Sequence, residues 1–285
     1  MLLSAVVTLL LVRGSTARAC DPTRYESSVA AALGAARNNA SAAAEAFVSA
    51  CTLQWTKFDI RKYVQNNWHA GEPTGASCGH LQRVGLYGDG GKMICDAKKL
   101  LGVAGKRPCH VISIGSNGES SFEQGIHSIA QHCSIDLFDG TLTGNRAHLQ
   151  RRLPPYLNFF SQNVDASTWQ QYQGTSSIRL LKMDCEGCEY DSLVPFVQNI
   201  CVEQLLLETH LCSTQALSNR ARVLKLHKMF LELDAIYKIF HVEPNLAYGD
   251  GVCVEYAFIR RWPCVDLATD NWNGMATDPI TAHVA

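Results

Sequence analysis

Three acidic residues gathered around one glycine, in Leu180-Leu-Lys-Met-Asp-Cys-Glu-Gly-Cys-Glu189, make up the stretch of this chain best equipped for chemistry. An apolar run delivers Asp184, Glu186 and Glu189 at its end, where carboxylates accept protons, orient a substrate hydroxyl or hold a cation. Capping the helix that starts near Asp191 is the alternative role, for Glu189 above all. A second polar tip, Gln204-Leu-Leu-Leu-Glu208-Thr-His210, sets a carboxylate and an imidazole after another apolar run. His210 is a candidate general base beside the first motif if the two strands are neighbours. Asp184, His210 and Glu186 are therefore the candidate catalytic residues. Asn245 and Glu255 are candidates for completing a polar wall, with turn-forming and hairpin-surface roles as the alternatives.

Upstream, His110-Val-Ile-Ser-Ile-Gly-Ser-Asn-Gly-Glu119 runs from an apolar strand into a Gly-x-x-Gly turn and then a helix. Gly115 lets the backbone turn without a Cβ clash, while Ser116 and Gly118 leave room for a ligand at the main chain. Glycine turns after strands are common, and the Gly-x-Gly-x-x-Gly spacing of dinucleotide sites is not met. The next apolar run, Cys133 to Asp139, ends in an acid roughly 20 residues beyond the turn, the placement of a ribose ligand. Asp139 takes that role, with a plain Asp-Gly turn as the alternative.

Such tips need a parallel sheet to position them. Beyond Val111, apolar strands alternate with amphipathic stretches, which predicts a sheet covered on both faces. The expected strands are 111–114, 134–138, 157–163, 178–183 and 204–208, with helices at 121–132, 191–199 and 217–233. A final pair at 237–242 and 252–259 resembles the antiparallel closing hairpin of a seven-stranded sheet. Residues 84–95 read as a glycine-dense loop, either a plain surface turn or one in which Asp89 and Lys92 close over a cofactor edge. Cys185 and Cys188 have Cys-x-x-Cys spacing, but no second pair or spaced histidines complete a zinc site, so a disulfide or plain packing is preferred. No metal is expected.

The 285 residues are 47% hydrophobic, enough for one sizeable core. With 25 basic and 26 acidic residues the net charge is -1, so no overall field favours nucleic acid or an anionic membrane. The short basic cluster Arg146 to Arg152 reads as a solvated helix face. Met1 to Val12 matches a signal-peptide core, with Ala17-Arg18-Ala19 before a cleavage point. An even count of 12 cysteines fits an oxidising compartment. The expected organisation is a signal peptide at 1–19, a helical extension and linker at 20–79, a principal domain at 80–262 and a tail at 263–285. Localisation is then secretory or extracellular, with no stable span after cleavage. An uncleaved anchor or an organelle-targeting segment is the alternative, and Asn39-Ala-Ser41 is a glycosylation sequon.

Taken together, five segments resemble class I S-adenosyl-L-methionine-dependent methyltransferases, most of all FkbM-type and methyltransferase-like twenty-four-type proteins. They are Tyr87–Cys95, Val111–Glu123, Asp136–Asp139, Leu181–Glu189 and Gln204–His210, in order over roughly 85–260. The resemblance implies a Rossmann-like α/β fold with a seven-stranded sheet. It implies that Gly115, Ser116 and Asn117 line the methionine part of the cofactor, that Asp139 holds its ribose, and that Asp184 lies beside the reacting methyl. Two positions depart from the pattern: Ser113 stands where many such enzymes carry an acid, and Glu119 where a third glycine is usual. The reaction expected is O-methylation of a small-molecule or glycan acceptor. A catalytically inactive fold used as a binding or structural module is the competing expectation.

Overall fold

Apolar runs spaced by helix-forming stretches become a layered α/β molecule in the computed structural model, which describes residues 41, 42, 44, 45, 78–103, 108–142, 153–175, 177–210, 219–245 and 253–264. The signal peptide, the sequon's Asn39, the basic cluster and almost all of the expected extension and tail lie outside these residues. In chain order the elements are β1 (Leu81–Val84), β2 (Lys92–Cys95), α1 (Ala97–Leu100), β3 (His110–Ile114), α2 (Ser121–Ile129), β4 (Ser134–Phe138) and β5 (Leu157–Phe160). A 3-10 turn at Thr168–Tyr172 follows. Then come β6 (Ile178–Met183), α3 (Glu189–Asn199), β7 (Val202–His210), α4 (Asn219–Asp234), β8 (Tyr237–Pro244) and β9 (Cys253–Arg260).

Seven strands form one sheet in the order β5-β4-β3-β6-β7-β9-β8. The pairs from β5 to β7 are parallel, while β9 runs antiparallel to both β7 and β8. This is the expected Rossmann-like, seven-stranded sheet with an antiparallel closing hairpin. The central strands are apolar on both faces because both are covered. Ile112, Leu181, Met183 and Leu205 pack towards Leu193, Val197, Leu226 and Phe230 of α3 and α4. Val111, Leu180 and Leu206 pack on the other side with Phe122 and Ile126 of α2 and with Val84 and Ile94 of the small hairpin. Burying each such side chain contributes about 1.5–3 kcal/mol.

Several bounds and one element differ from expectation: α2 ends at Ile129 and not at 132, α3 begins at Glu189, and β8 runs on to Pro244. β7 is longer than 204–208 because it is paired on both sides, by β6 and β9, whereas β5 stops at Phe160 as an edge strand paired only with β4. The glycine-dense segment 84–95 is not simply a loop. Its ends belong to an antiparallel two-stranded hairpin, with Val84 opposite Lys92 and Leu81 opposite Cys95. Disulfides Cys78–Cys95, Cys109–Cys133, Cys185–Cys188 and Cys201–Cys264 join described residues. The Cys-x-x-Cys pair is thus a disulfide. No helix among the described residues is long and apolar enough to cross a membrane.

Candidate active site

The sheet order reverses between β3 and β6, so their carboxyl ends splay apart and leave a crevice. Gly115 turns out of β3 with φ 79°, and a Cβ there would lie 1.5 Å from the Asp184 carbonyl oxygen. Only glycine permits that crossing. Asn117 and Gly118 continue the turn with φ 48° and 80°. Above these tips opens a cavity of about 980 Å³, bordered by Gly115, Ser116, Asn117, Asp139, Asp184 and His210. The structure thus brings together the two motifs and the turn that the sequence singles out. Glu186 also borders the cavity, whereas Gly118, expected among the cofactor-binding residues, shapes the turn without lining it.

Asp139, at the tip of β4, is committed to its own chain. One carboxylate oxygen accepts from Ser116 N at 2.9 Å, Ser116 Oγ at 2.9 Å and Asn117 N at 2.7 Å. The other accepts from Thr141 N at 2.9 Å and Thr141 Oγ1 at 2.6 Å. Burial opposes its ionisation, but the hydrogen bonds from Thr141 and Ser116 outweigh this and hold the carboxyl below its usual range. In this state Asp139 closes the glycine turn, and a ribose would have to take over bonds now made by Ser116 and Asn117.

Behind Asp184 lies a buried charge cluster. Lys92, 2% exposed, donates to Asp184 Oδ2 at 3.1 Å, to Glu208 Oε2 at 3.1 Å and to Glu255 Oε1. Burial alone would lower the pKa of Lys92, but the charges of Asp184, Glu255 and Glu208 drive it upward. The expected closure of Lys92 over a cofactor edge is therefore corrected. Its ammonium points into the protein because three carboxylates wait there, while Asp89 does border the cavity. Asn245 completes the cluster, donating to Glu208 Oε1 at 2.8 Å. Asn245 and Glu255 thus belong to a buried polar cluster behind the cavity and do not line it, so neither the expected polar wall nor a hairpin-surface role describes them. Asp184, Glu208 and His210 each present a ligand atom within 4.8 Å of the others. Lys92 already supplies countercharge to two of them.

His210 sits between acids. Its Nδ1 is 3.2 Å from Glu189 Oε1 and its Nε2 is 3.5 Å from Asp184 Oδ1 and 3.8 Å from Glu186 Oε1. Burial disfavours the imidazolium, yet the hydrogen bonds and charges of Asp184 and Glu189 raise its pKa to about 11. A ring protonated on both nitrogens has no lone pair to accept a proton, so in this state His210 is a donor and not a base. Burial also opposes the Asp184 carboxylate, but Lys92, Lys182 and His210 hold its pKa well below the usual range. Glu189 ties the site together: one oxygen accepts from Gly187 N at 2.8 Å, the other from His210 N at 3.0 Å. The loop bearing Glu186 (φ 56°) and Gly187 (φ 115°) is closed by the Cys185–Cys188 disulfide.

Three charged residues at the site have no place in the sequence expectations as they now stand: Lys92 as a buried cation, Lys182 and Glu123. Lys182, on β6, donates to the Gly115 carbonyl. Glu123, on α2, accepts from Ser113 Oγ, so the strand position without an acid is served by one from the helix. The available signal is a charged residue inside an apolar stretch, as at Lys182 within Leu180–Met183. Glu119, at the position of the missing third glycine, accepts from Ser121 N and from Ser121 Oγ at 2.8 Å at the start of α2.

The site suits a nucleoside carrying a cationic amino-acid tail. Its volume lies within the range of small-ligand cavities, its turn exposes main chain, and carboxylates dominate its walls. A family model described as a methyltransferase domain matches residues 36–260. No curated protein matches the sequence. Among solved structures, the chain is similar to the Methanococcus jannaschii fibrillarin pre-rRNA processing protein at 12% identity and TM-score 0.39, covering 67% of this chain and 86% of that one. It is similar also to the N-methyltransferase NodS from Bradyrhizobium japonicum WM9, solved with S-adenosylhomocysteine, at 11% identity and TM-score 0.34, covering 58% and 84%. For a predicted O-methyltransferase from Agrobacterium tumefaciens the values are 14% and 0.35, covering 59% and 81%. With the family model spanning most of its length, the chain belongs to the methyltransferase-domain family, and its cofactor is S-adenosylmethionine.

Proposed function

We propose that the chain is an O-methyltransferase of the secretory pathway, acting on a hydroxyl of a small molecule or glycan. One observation carries this reading: the glycine turn, the Asp139 tip and the Asp184 tip converge on a single cavity at the switch point of the sheet. Four disulfides among the described residues support an oxidising compartment. The order and spacing of the five motif segments support kinship with FkbM-type and methyltransferase-like twenty-four-type proteins.

When bound, the cofactor supplies an electrophilic methyl group on a sulfonium. In this reading Gly115, Ser116 and Asn117 border its amino-acid part, Gly118 shapes the turn that presents them, and Asp139 borders its ribose. Asp184 accepts a hydrogen bond from the acceptor hydroxyl and so fixes the direction of the attacking oxygen. Much of the rate comes from that alignment. His210, already protonated, steadies Asp184. The side chain of Glu186, 66% exposed at the cavity mouth, takes the hydroxyl proton and passes it to water.

Calorimetric titration with S-adenosylhomocysteine, followed by methyl-transfer assays on hydroxylated acceptors, tests the reading. Glu186→Gln is expected to lower kcat about 100-fold with cofactor affinity unchanged. Unaltered turnover in that variant removes Glu186 from the proton path. Transfer to amines alone would overturn the O-methyl assignment. The inactive-module reading draws on Asp139, whose oxygens are all engaged by its own chain. Absence of binding heat for the intact protein would favour it.

A further inference from the structure

Glu123 is buried to 1% exposure and yet forms part of the cavity wall. Its Oε1 accepts the Ser113 hydroxyl, while its Oε2 meets no hydrogen-bond partner among the described residues. A buried carboxylate oxygen left bare is costly, and such a position is stable when a ligand brings the missing donor. The neighbouring cation does not fill the gap. Lys182, also buried, sits opposite Ser113 in the β3–β6 register and gives its hydrogen bond to the Gly115 carbonyl. The cavity wall beside the turn therefore carries one acid and one ammonium side by side, each with bonding capacity to spare. That pairing is complementary to an α-amino-acid head group, whose ammonium and carboxylate carry the opposite signs in the same proximity.

We propose that Glu123 Oε2 receives the α-ammonium of the cofactor's amino-acid end, with Lys182 facing the α-carboxylate. The inference rests on the reading of this cavity as the S-adenosylmethionine site and assigns which wall reads which end. Position selects this end over the ribose. Glu123 lies beneath Ser113 and Gly115 at the β3–β6 crossing, whereas Asp139, the candidate ribose ligand, stands one strand further out on β4. Helix α2 thus contributes a recognition residue from beyond the strand and its glycine turn.

Binding of S-adenosylhomocysteine and of 5′-methylthioadenosine, which lacks the amino-acid end, is measured by calorimetry on the full chain. Glu123→Gln is expected to weaken S-adenosylhomocysteine at least tenfold and to leave 5′-methylthioadenosine within twofold. Equal affinity of both proteins for S-adenosylhomocysteine overturns the proposal, as does an equal loss for both ligands, which would mark Glu123 as structural. If the variant does not fold, the wild-type protein decides. The deamino analogue of S-adenosylhomocysteine is expected to bind it at least tenfold more weakly than the parent, and parity overturns the proposal. A wild-type protein that binds none of these ligands overturns the cofactor reading itself, an outcome distinct from intact binding that ignores Glu123.

Discussion

At the scale of single residues, His210 makes the sharpest pH argument. Its pKa of about 11 stands above its ordinary 6.5, so the stability gained from its protonation is complete below about pH 6.5 and is lost as pH rises towards 11. Each pH unit inside that window removes up to about 1.4 kcal/mol. Thermal melts between pH 7 and 9.5 are expected to show this alkaline decline in the wild type and a flatter profile in His210→Gln. A parallel decline in both proteins would place the titration elsewhere. Asp139→Asn is a second residue-scale case. An amide oxygen cannot accept all five hydrogen bonds that the carboxylate takes, so the glycine turn loosens. A stability loss of about 1–3 kcal/mol, with weaker S-adenosylhomocysteine binding, is expected by denaturant unfolding and calorimetry.

Elements decide where those residues meet, and Gly115 is where two of them cross. In Gly115→Ala the added carbon would have to share space with the Asp184 carbonyl, in a backbone region that costs a side-chain-bearing residue about 1–2 kcal/mol by itself. The tips of β3 and β6 must then part, and the expected result is a melting temperature lowered by several degrees together with lost cofactor binding. Unchanged melting would mean the crossing is more pliable than its geometry. The strands bearing Gly115, Asp139, Asp184 and Glu208 were legible from sequence because a strand covered on both faces is an unbroken apolar run, and a polar residue at its end is conspicuous. The hairpin of β1 and β2 was not, since two four-residue strands flank a glycine-dense turn and neither joins the main sheet. Lys92 was misread for a related reason. Its partners Asp184, Glu208 and Glu255 lie 92, 116 and 163 positions away, a separation no local pattern encodes. Glu123 was missed because a glutamate in the first turn of a helix ordinarily faces water and favours the helix dipole.

Across the whole molecule, two of the cross-links sit at the end of the sheet opposite the chemistry. Cys109–Cys133 joins the residues that precede β3 and β4, and Cys201–Cys264 joins the residue before β7 to the segment after β9, which returns antiparallel to the same end. For loops with separations of 24 and 63 residues, chain entropy gives about 3 and about 4 kcal/mol of stabilisation. Replacing either pair with serines is expected to shift unfolding by such amounts while leaving cofactor affinity nearly unchanged, as measured by denaturant titration and calorimetry. A collapse of binding in a variant that still folds would link root and tip. The tips carry a different fastener, Cys185–Cys188, which spans only the loop between β6 and α3. The sheet is therefore riveted at its roots like the ribs of a fan. Whatever accommodation a ligand demands falls on the open edge, and amide exchange would slow there, at 115–118, 139–141 and 185–188, against silent roots.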